Sequence, residues 1–152
     1  MTDSDASSEN TQMLHILQAC RSIAVVGLSP RPERASYEVA QYMQAQGYRI
    51  VPVNPVAAAS GEPILGEKVY ASLSEAAQFE KIDMVDCFRK SIDIPPIAEE
   101  AIHIGANVLW LQLGIAHEAS KALAEAAGLL VVQNRCLLVE HRRQYESASL
   151  RQ

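Results

Sequence analysis

Cysteine is scarce in this chain and unpaired in pattern: Cys20, Cys87 and Cys136 are widely separated within 152 residues. Three isolated thiols make no disulfide framework, and no CxxC spacing suggests a zinc site. Excess positive charge is also missing. A formal net charge of -5 argues against a broad nucleic-acid surface, because a phosphate backbone needs a basic face. No apolar run approaches the roughly 20 residues that span a bilayer. The first dozen residues are acidic and polar and lack the basic and apolar segments of a signal peptide. These absences point to a cytoplasmic protein with neither nucleic acid nor membrane as partner.

Hydrophobic residues make up 49% and charged residues 20% of the chain, ordinary proportions for a globular protein. The length suits one domain. Residues 1–12 are rich in Ser, Asp, Asn and Thr and are expected to form a flexible tail; residues 13–145 form the domain, and 146–152 a polar tail. Met13, Leu14, Ile16 and Leu17 predict a short amphipathic helix ending near Arg21. Ile23-Ala24-Val25-Val26-Gly27 then reads as a strand buried on both faces.

Strand and helix signals alternate from there on. Ser36 is expected to cap a helix that runs to Gln46 and stops at Gly47. Ile50 to Val53 is a second strand closed by Asn54-Pro55, although Pro52 would remove a ladder donor. Residues 56–67 are read as a loop, Val69-Tyr70 as a short third strand, and Leu73 to Phe79 as a helix capped by Ser72. Asp83 to Phe88 is a strand, and Pro95-Pro96 suit the first turn of the next helix. Val108 to Leu111, a helix from Ala119 to Ala127, and a strand from Leu129 to Val132 complete the series. The alternation predicts an α/β, Rossmann-like, doubly wound parallel sheet of five or six strands in order 3-2-1-4-5-6.

In such a sheet ligands bind outside the carboxyl ends of the strands, at the switch point. The segments to inspect are therefore Gly27 to Ser36, Asn54-Pro55, Phe88 to Ser91, and Gln112-Leu113-Gly114. The first combines a glycine, hydroxyls, arginines and a helix N-terminus, which together suit a phosphate. A solvated basic loop has the same composition, and position at the switch point is what favours the ligand. A dinucleotide site calls for G-x-G-x-x-G and an acid after the second strand. This chain has Gly27 alone and Asn54-Pro55 in place of the acid. Both departures weigh against NAD; the arginines suit a ligand with an extra phosphate, such as coenzyme A or NADP.

Val25-Val26-Gly27-Leu28-Ser29, Arg34-Ala35-Ser36-Tyr37, Gly47-Tyr48 and Val51-Pro52-Val53-Asn54-Pro55 resemble the small bacterial CoA-binding domain proteins. So do Asp86-Cys87-Phe88-Arg89, Trp110-Leu111-Gln112-Leu113-Gly114 and Asn134-Arg135-Cys136, so that the likeness covers residues 14 to 141. That family is similar to the nucleotide-binding part of the succinyl-CoA synthetase alpha subunit. The resemblance implies coenzyme A or an acyl-CoA as ligand. It implies that Gly27, Leu28, Ser29, Arg34 and Ser36 surround the phosphates, that Asn54 and Pro55 border the nucleotide, and that Phe88, Arg89, Gln112 and Gly114 line the rest of the cleft. The synthetase has a lysine shortly after the second-strand proline, where this chain has Val56-Ala57-Ala58-Ala59. The 3′-phosphate would then need another anchor, such as Arg31 or Arg34.

Catalytic groups are harder to assemble. Cys136 with Glu140 and His141 invites a thiol-nucleophile reading, which requires groups within about 3 Å of one another. The plainer reading makes Cys136 a small buried residue at a strand end, and Cys87 and Trp110 core residues. His15, His103 and His117 have no metal-ligand spacing and are expected at helix surfaces or caps. The leading expectation is a non-catalytic CoA-binding carrier, sensor or regulatory module whose protein partner the sequence does not name. An NAD(P)-binding oxidoreductase and a CoA-thioester enzyme using Cys136 are the alternatives.

Overall fold

The computed structural model describes residues 3–150, with side chains described from 8 to 146. Five strands, β1 (Ser22–Val26), β2 (Arg49–Val53), β3 (Met84–Cys87), β4 (Val108–Leu111) and β5 (Leu130–Val132), form one sheet. Their order is β2-β1-β3-β4-β5, and every pairing is parallel. Helices α1 (Asp3–Ala19), α2 (Ala35–Ala45), α3 (Pro55–Ser60), α4 (Leu73–Ala77), α5 (Ile94–His103), α6 (Glu118–Ala126) and α7 (Leu137–Leu150), with one 3-10 turn at Ser91–Asp93, complete the elements of the described chain.

Successive strand residues point to opposite sides of the sheet, and helices cover both faces, so the strands are buried throughout. Ile23, Val25, Met84, Trp110 and Val132 pack with Ile16 and Leu17 of α1, Met43 of α2 and Leu137 of α7. Ala24, Val26, Val85, Leu109 and Leu111 pack instead with Leu73 of α4, Ala98 and Ala101 of α5, and Ala124 of α6. This is the doubly wound arrangement, with its switch point between β1 and β3. Among the described residues no helix is long and apolar enough to cross a membrane.

Pro52 is accommodated by position. It lies in register with Val25, while its carbonyl accepts from the Tyr70 N–H at 2.9 Å on the outer side of β2. In a parallel strand one residue's N–H and C=O point the same way, so the missing donor faces away from β1. The expected third strand is reduced to one bridge: Tyr70 pairs with Val53, beside β2 as the predicted order requires.

Three element assignments change. The first helix starts at Asp3, so residues 3–12, expected as a tail, lie within it; the expected tails at 1–2 and 151–152 fall outside the described residues. Residues 56–60, expected as loop, belong to α3, whose N-terminus is capped by the Asn54 side chain accepting from the N–H groups of Val56 and Ala57. The polar C-terminal segment forms α7 through Leu150, so residues 146–150, expected as tail, are helical. Its buried His141 receives a hydrogen-bonding partner in Tyr42, with 2.9 Å between His141 Nδ1 and the hydroxyl.

Candidate functional site

At the carboxyl end of β1 the chain turns through Gly27, held by two ladder-like hydrogen bonds. Gly27 N–H donates to the Val53 carbonyl at 2.8 Å, and Phe88 N–H donates to the Val26 carbonyl at 2.9 Å. Gly27 has φ +89°, and a Cβ there would stand 2.6 Å from the Phe88 carbonyl oxygen. Glycine is required on both counts, backbone conformation and close approach. The loop that follows is cross-braced: Ser29 N–H donates to Ser36 Oγ at 3.0 Å, and Arg31 N–H donates to Ser29 Oγ at 3.1 Å. Each serine oxygen thus accepts from the backbone and keeps its own proton as a donor.

The cap of α2 corrects one expectation. Arg34, not Ser36, occupies the N-cap, and it places no side-chain hydrogen bond on the helix end. Ser36 is buried in the first turn, tying the loop down. The uncapped N-terminus and the two arginines border a hollow of about 410 Å³ lined by Gly27, Ser29, Arg31, Arg34, Ser36 and Phe88. Orphan helix N–H groups, the positive end of the helix dipole and guanidinium forks all favour an anion.

A second hollow of about 490 Å³ shares Ala35 and Phe88 with the first. It runs past Val39 and Arg89 to Gln112, Leu113, Ile115 and Cys136. Together the two form a trough over the carboxyl ends of β1, β3, β4 and β5, with serines and arginines at the α2 end and a mostly apolar lining beyond Phe88. Arg89 and Lys90 add positive charge along its wall. Among the described residues neither they nor Arg31 and Arg34 take part in an ion pair.

Gln112 is buried at the base of the second hollow. Its Nε2 donates to Asp86 Oδ1 at 2.7 Å, and its Oε1 accepts from the Leu137 N–H at 3.4 Å. Asp86 is 1% exposed, and its Oδ2 has no hydrogen-bonding partner among the described residues. Burial raises the Asp86 carboxyl to about 7, with the Gln112 hydrogen bond acting against the shift.

Of the residues singled out in the sequence, Gly27, Ser29, Arg34, Ser36, Phe88, Arg89 and Gln112 lie on the trough. Leu28, Asn54, Pro55 and Gly114 do not line it. Leu28 is wholly buried and contributes its carbonyl, which accepts from Asn54 Nδ2 at 2.9 Å. Asn54 and Pro55 begin α3, so they brace the loop from behind. Gly114, φ +86°, donates its N–H to Asn134 Oδ1 at 2.7 Å. Sequence reasoning left Val39 and Ile115 out of the site and reached Lys90 only as part of the segment Phe88 to Ser91. Val39 had a legible signal, one helical turn from Ala35, whereas Ile115 is placed by loop curvature after β4.

Cys136 is partly exposed on the trough, contrary to its expected burial. Its proposed base points elsewhere: the His141 ring stacks on Tyr145 with centroids 4.3 Å apart and stands edge-on to Tyr42 and Tyr48. Desolvation lowers the His141 pKa, favouring a neutral ring. His117 caps α6, accepting from the Ser120 N–H, and Cys87 and Trp110 are core residues.

A family model described as a CoA binding domain matches residues 21–142. The chain is 39% identical over 130 residues to the uncharacterized protein YneT of Bacillus subtilis (strain 168), covering 86% of this chain and 92% of that protein. A solved structure from Thermus thermophilus superposes with a TM-score of 0.83 at 35% identity, covering 89% of this chain and 98% of its own. A hypothetical protein from Pyrococcus horikoshii OT3 gives 0.82 at 37% identity, with 90% and 92% covered.

Proposed function

The chain belongs to the CoA-binding domain family, and on that premise we propose that it binds coenzyme A or an acyl-CoA along the trough, as a non-catalytic carrier, sensor or regulatory module. The observation that carries this reading is the adjacency of two unlike hollows. An anion-favouring one at the α2 N-terminus, with Arg31 and Arg34, adjoins a mostly apolar one across Ala35 and Phe88. Coenzyme A has that polarity: a phosphorylated nucleotide followed by an arm carrying methyl and methylene groups.

The diphosphate sits at the first turn of α2, where the Ser29 and Ser36 hydroxyls and the arginines supply donors. The arm crosses Phe88 and lies over Val39, Leu113 and Ile115. The pairing of Asn54 with α3 leaves no carboxylate for ribose hydroxyls after β2, which disfavours NAD at this edge. The orientation of His141 toward three tyrosines removes the base that a Cys136 nucleophile would need, and so favours binding over thioester chemistry.

A thermal-shift titration tests the choice of ligand. Ligand at 100 times its dissociation constant stabilises the native state by about 2.7 kcal/mol, or roughly 5–10 °C for a domain of this size. We expect CoA to produce such a shift and NAD to produce little or none. Stabilisation by NAD with no response to CoA would overturn the reading.

A further inference from the structure

Asp86 is buried in the sheet at a cost that its single hydrogen bond offsets only in part. It lies in the middle strand of the sheet, between Val25 and Trp110 in register, 1% exposed, with Oδ2 unpartnered. A buried carboxyl with an unmatched oxygen costs stability. Its one partner is Gln112, and Gln112 forms part of the lining of the apolar hollow. The same glutamine holds the first N–H of α7. The carboxyl is thereby joined to the floor of the trough and to nothing else among the described residues.

We propose that ligand binding in the trough is coupled to proton uptake by Asp86, whose carboxyl becomes neutral when the arm of the ligand closes over Gln112. The inference rests on the CoA reading and adds a regulatory property to that site. Two effects act in the same direction. An arm lying on Gln112 expels the water nearest the carboxyl, and removal of water disfavours the charged form. The phosphates bring negative charge to the same sheet edge and engage the arginines there, which again disfavours a second anion. Burial already places the carboxyl at about 7 without ligand, so a modest further rise moves it through the neutral range.

Other titratable groups surround this face. Tyr37 and Tyr42 come from α2, Tyr48 from the turn before β2, Cys20 from the end of α1, and Cys136, Glu140 and His141 from α7 and the turn before it. Glu140 is paired with Arg135 and Arg143, and His141 is bonded to Tyr42. Arg89 and Lys90 flank the β3 exit. None of these is hydrogen-bonded to Asp86, so the Asp86→Asn variant separates its contribution from theirs.

The test measures affinity for dephospho-CoA and CoA by calorimetry from pH 6 to pH 8.5, in the wild type and in Asp86→Asn. Dephospho-CoA lacks the 3′-phosphate, whose own titration would otherwise enter the slope. Affinity of the wild type is expected to fall about tenfold between pH 7 and 8.5, approaching tenfold per pH unit where one proton is taken up. Asp86→Asn is expected to bind with little pH dependence. A carboxylic-acid infrared band that grows on adding ligand to the wild type at pH 8 provides a readout independent of the variant's folding. A flat wild-type profile, or equal slopes in both proteins, would overturn the proton linkage while leaving CoA binding intact. Absence of binding at every pH would defeat the CoA reading and, with it, this inference.

Discussion

Gly27→Ala is expected to lower stability by about 2–4 kcal/mol and to abolish CoA binding. The added Cβ meets the Phe88 carbonyl oxygen at 2.6 Å, and φ is +89°. Neither neighbour can yield cheaply. The Gly27 N–H is tied to β2 through Val53, and the Phe88 N–H to β1 through Val26, so relief of the clash requires parting β1 from β3 at their carboxyl ends. That parting moves Phe88 out of the wall shared by the two hollows and displaces Ser29 from Ser36. Thermal denaturation should register a fall of roughly 5–15 °C, and calorimetry should register no heat of CoA binding. Wild-type melting and wild-type affinity in this variant would show that the β1 turn does not depend on glycine.

Asp86→Asn is expected to gain stability relative to the wild type as pH rises. The folded-state carboxyl is raised to about 7, above its unfolded value. Its stabilising contribution is therefore fully present below the unfolded pKa near ~3.9 and is lost as pH rises toward 7, because the unfolded chain releases the proton first. Between pH 5 and pH 8 the difference between variant and wild type should move by about 2–3 kcal/mol in favour of the variant. His141 works in the opposite sense: its lowered pKa makes stability fall as pH drops below about 6.5. That term is common to both proteins and cancels in their difference. Denaturant melts across this range decide the matter, and a difference that stays constant with pH would mean that Asp86 is ionised throughout.

The parts of the molecule legible in sequence are those governed by uniform apolar burial. Ile23 to Val26, Met84 to Cys87 and Val108 to Leu111 are continuous apolar or nearly apolar runs because helices cover both faces of the sheet. The order of strands followed from the alternation, even though Val69-Tyr70 contributes one bridge and not a strand. Elements whose stability comes from polar contacts were obscured. The last helix carries His-Arg-Arg-Gln-Tyr-Glu after Leu137 and Leu138, a composition that reads as solvent-exposed; His141 is buried because Tyr42 satisfies it and three aromatic rings enclose it. Asn54-Pro55 reads equally well as a turn or as a cap followed by proline at the first helical position, and the second arrangement occurs.

The site divides in the same way. Gly27, Ser29, Arg34 and Ser36 were locatable because the end of the first strand and the start of a helix define where they stand. Their roles were less legible: Ser36 braces Ser29 and leaves the helix end uncapped, which is what opens that end to an anion. Gln112 was expected on the cleft, but its burial follows from Asp86 on the neighbouring strand, a long-range pairing that no local pattern encodes. Leu28 and Gly114 belong to the right segments but point their side chain or N–H into the protein.

The most direct test of the proposed coenzyme A site is an amide chemical-shift titration of the isotopically labelled protein. The account predicts that CoA perturbs Gly27 to Tyr37, Phe88 to Ser91, and Gln112 to Ile115 together, with one saturation curve. It predicts little change around Leu17, Gly47 and Tyr48, which border a separate cavity of about 250 Å³ at the opposite end of the strands. Shifts confined to that opposite cavity, or no shifts at saturating CoA, would contradict it.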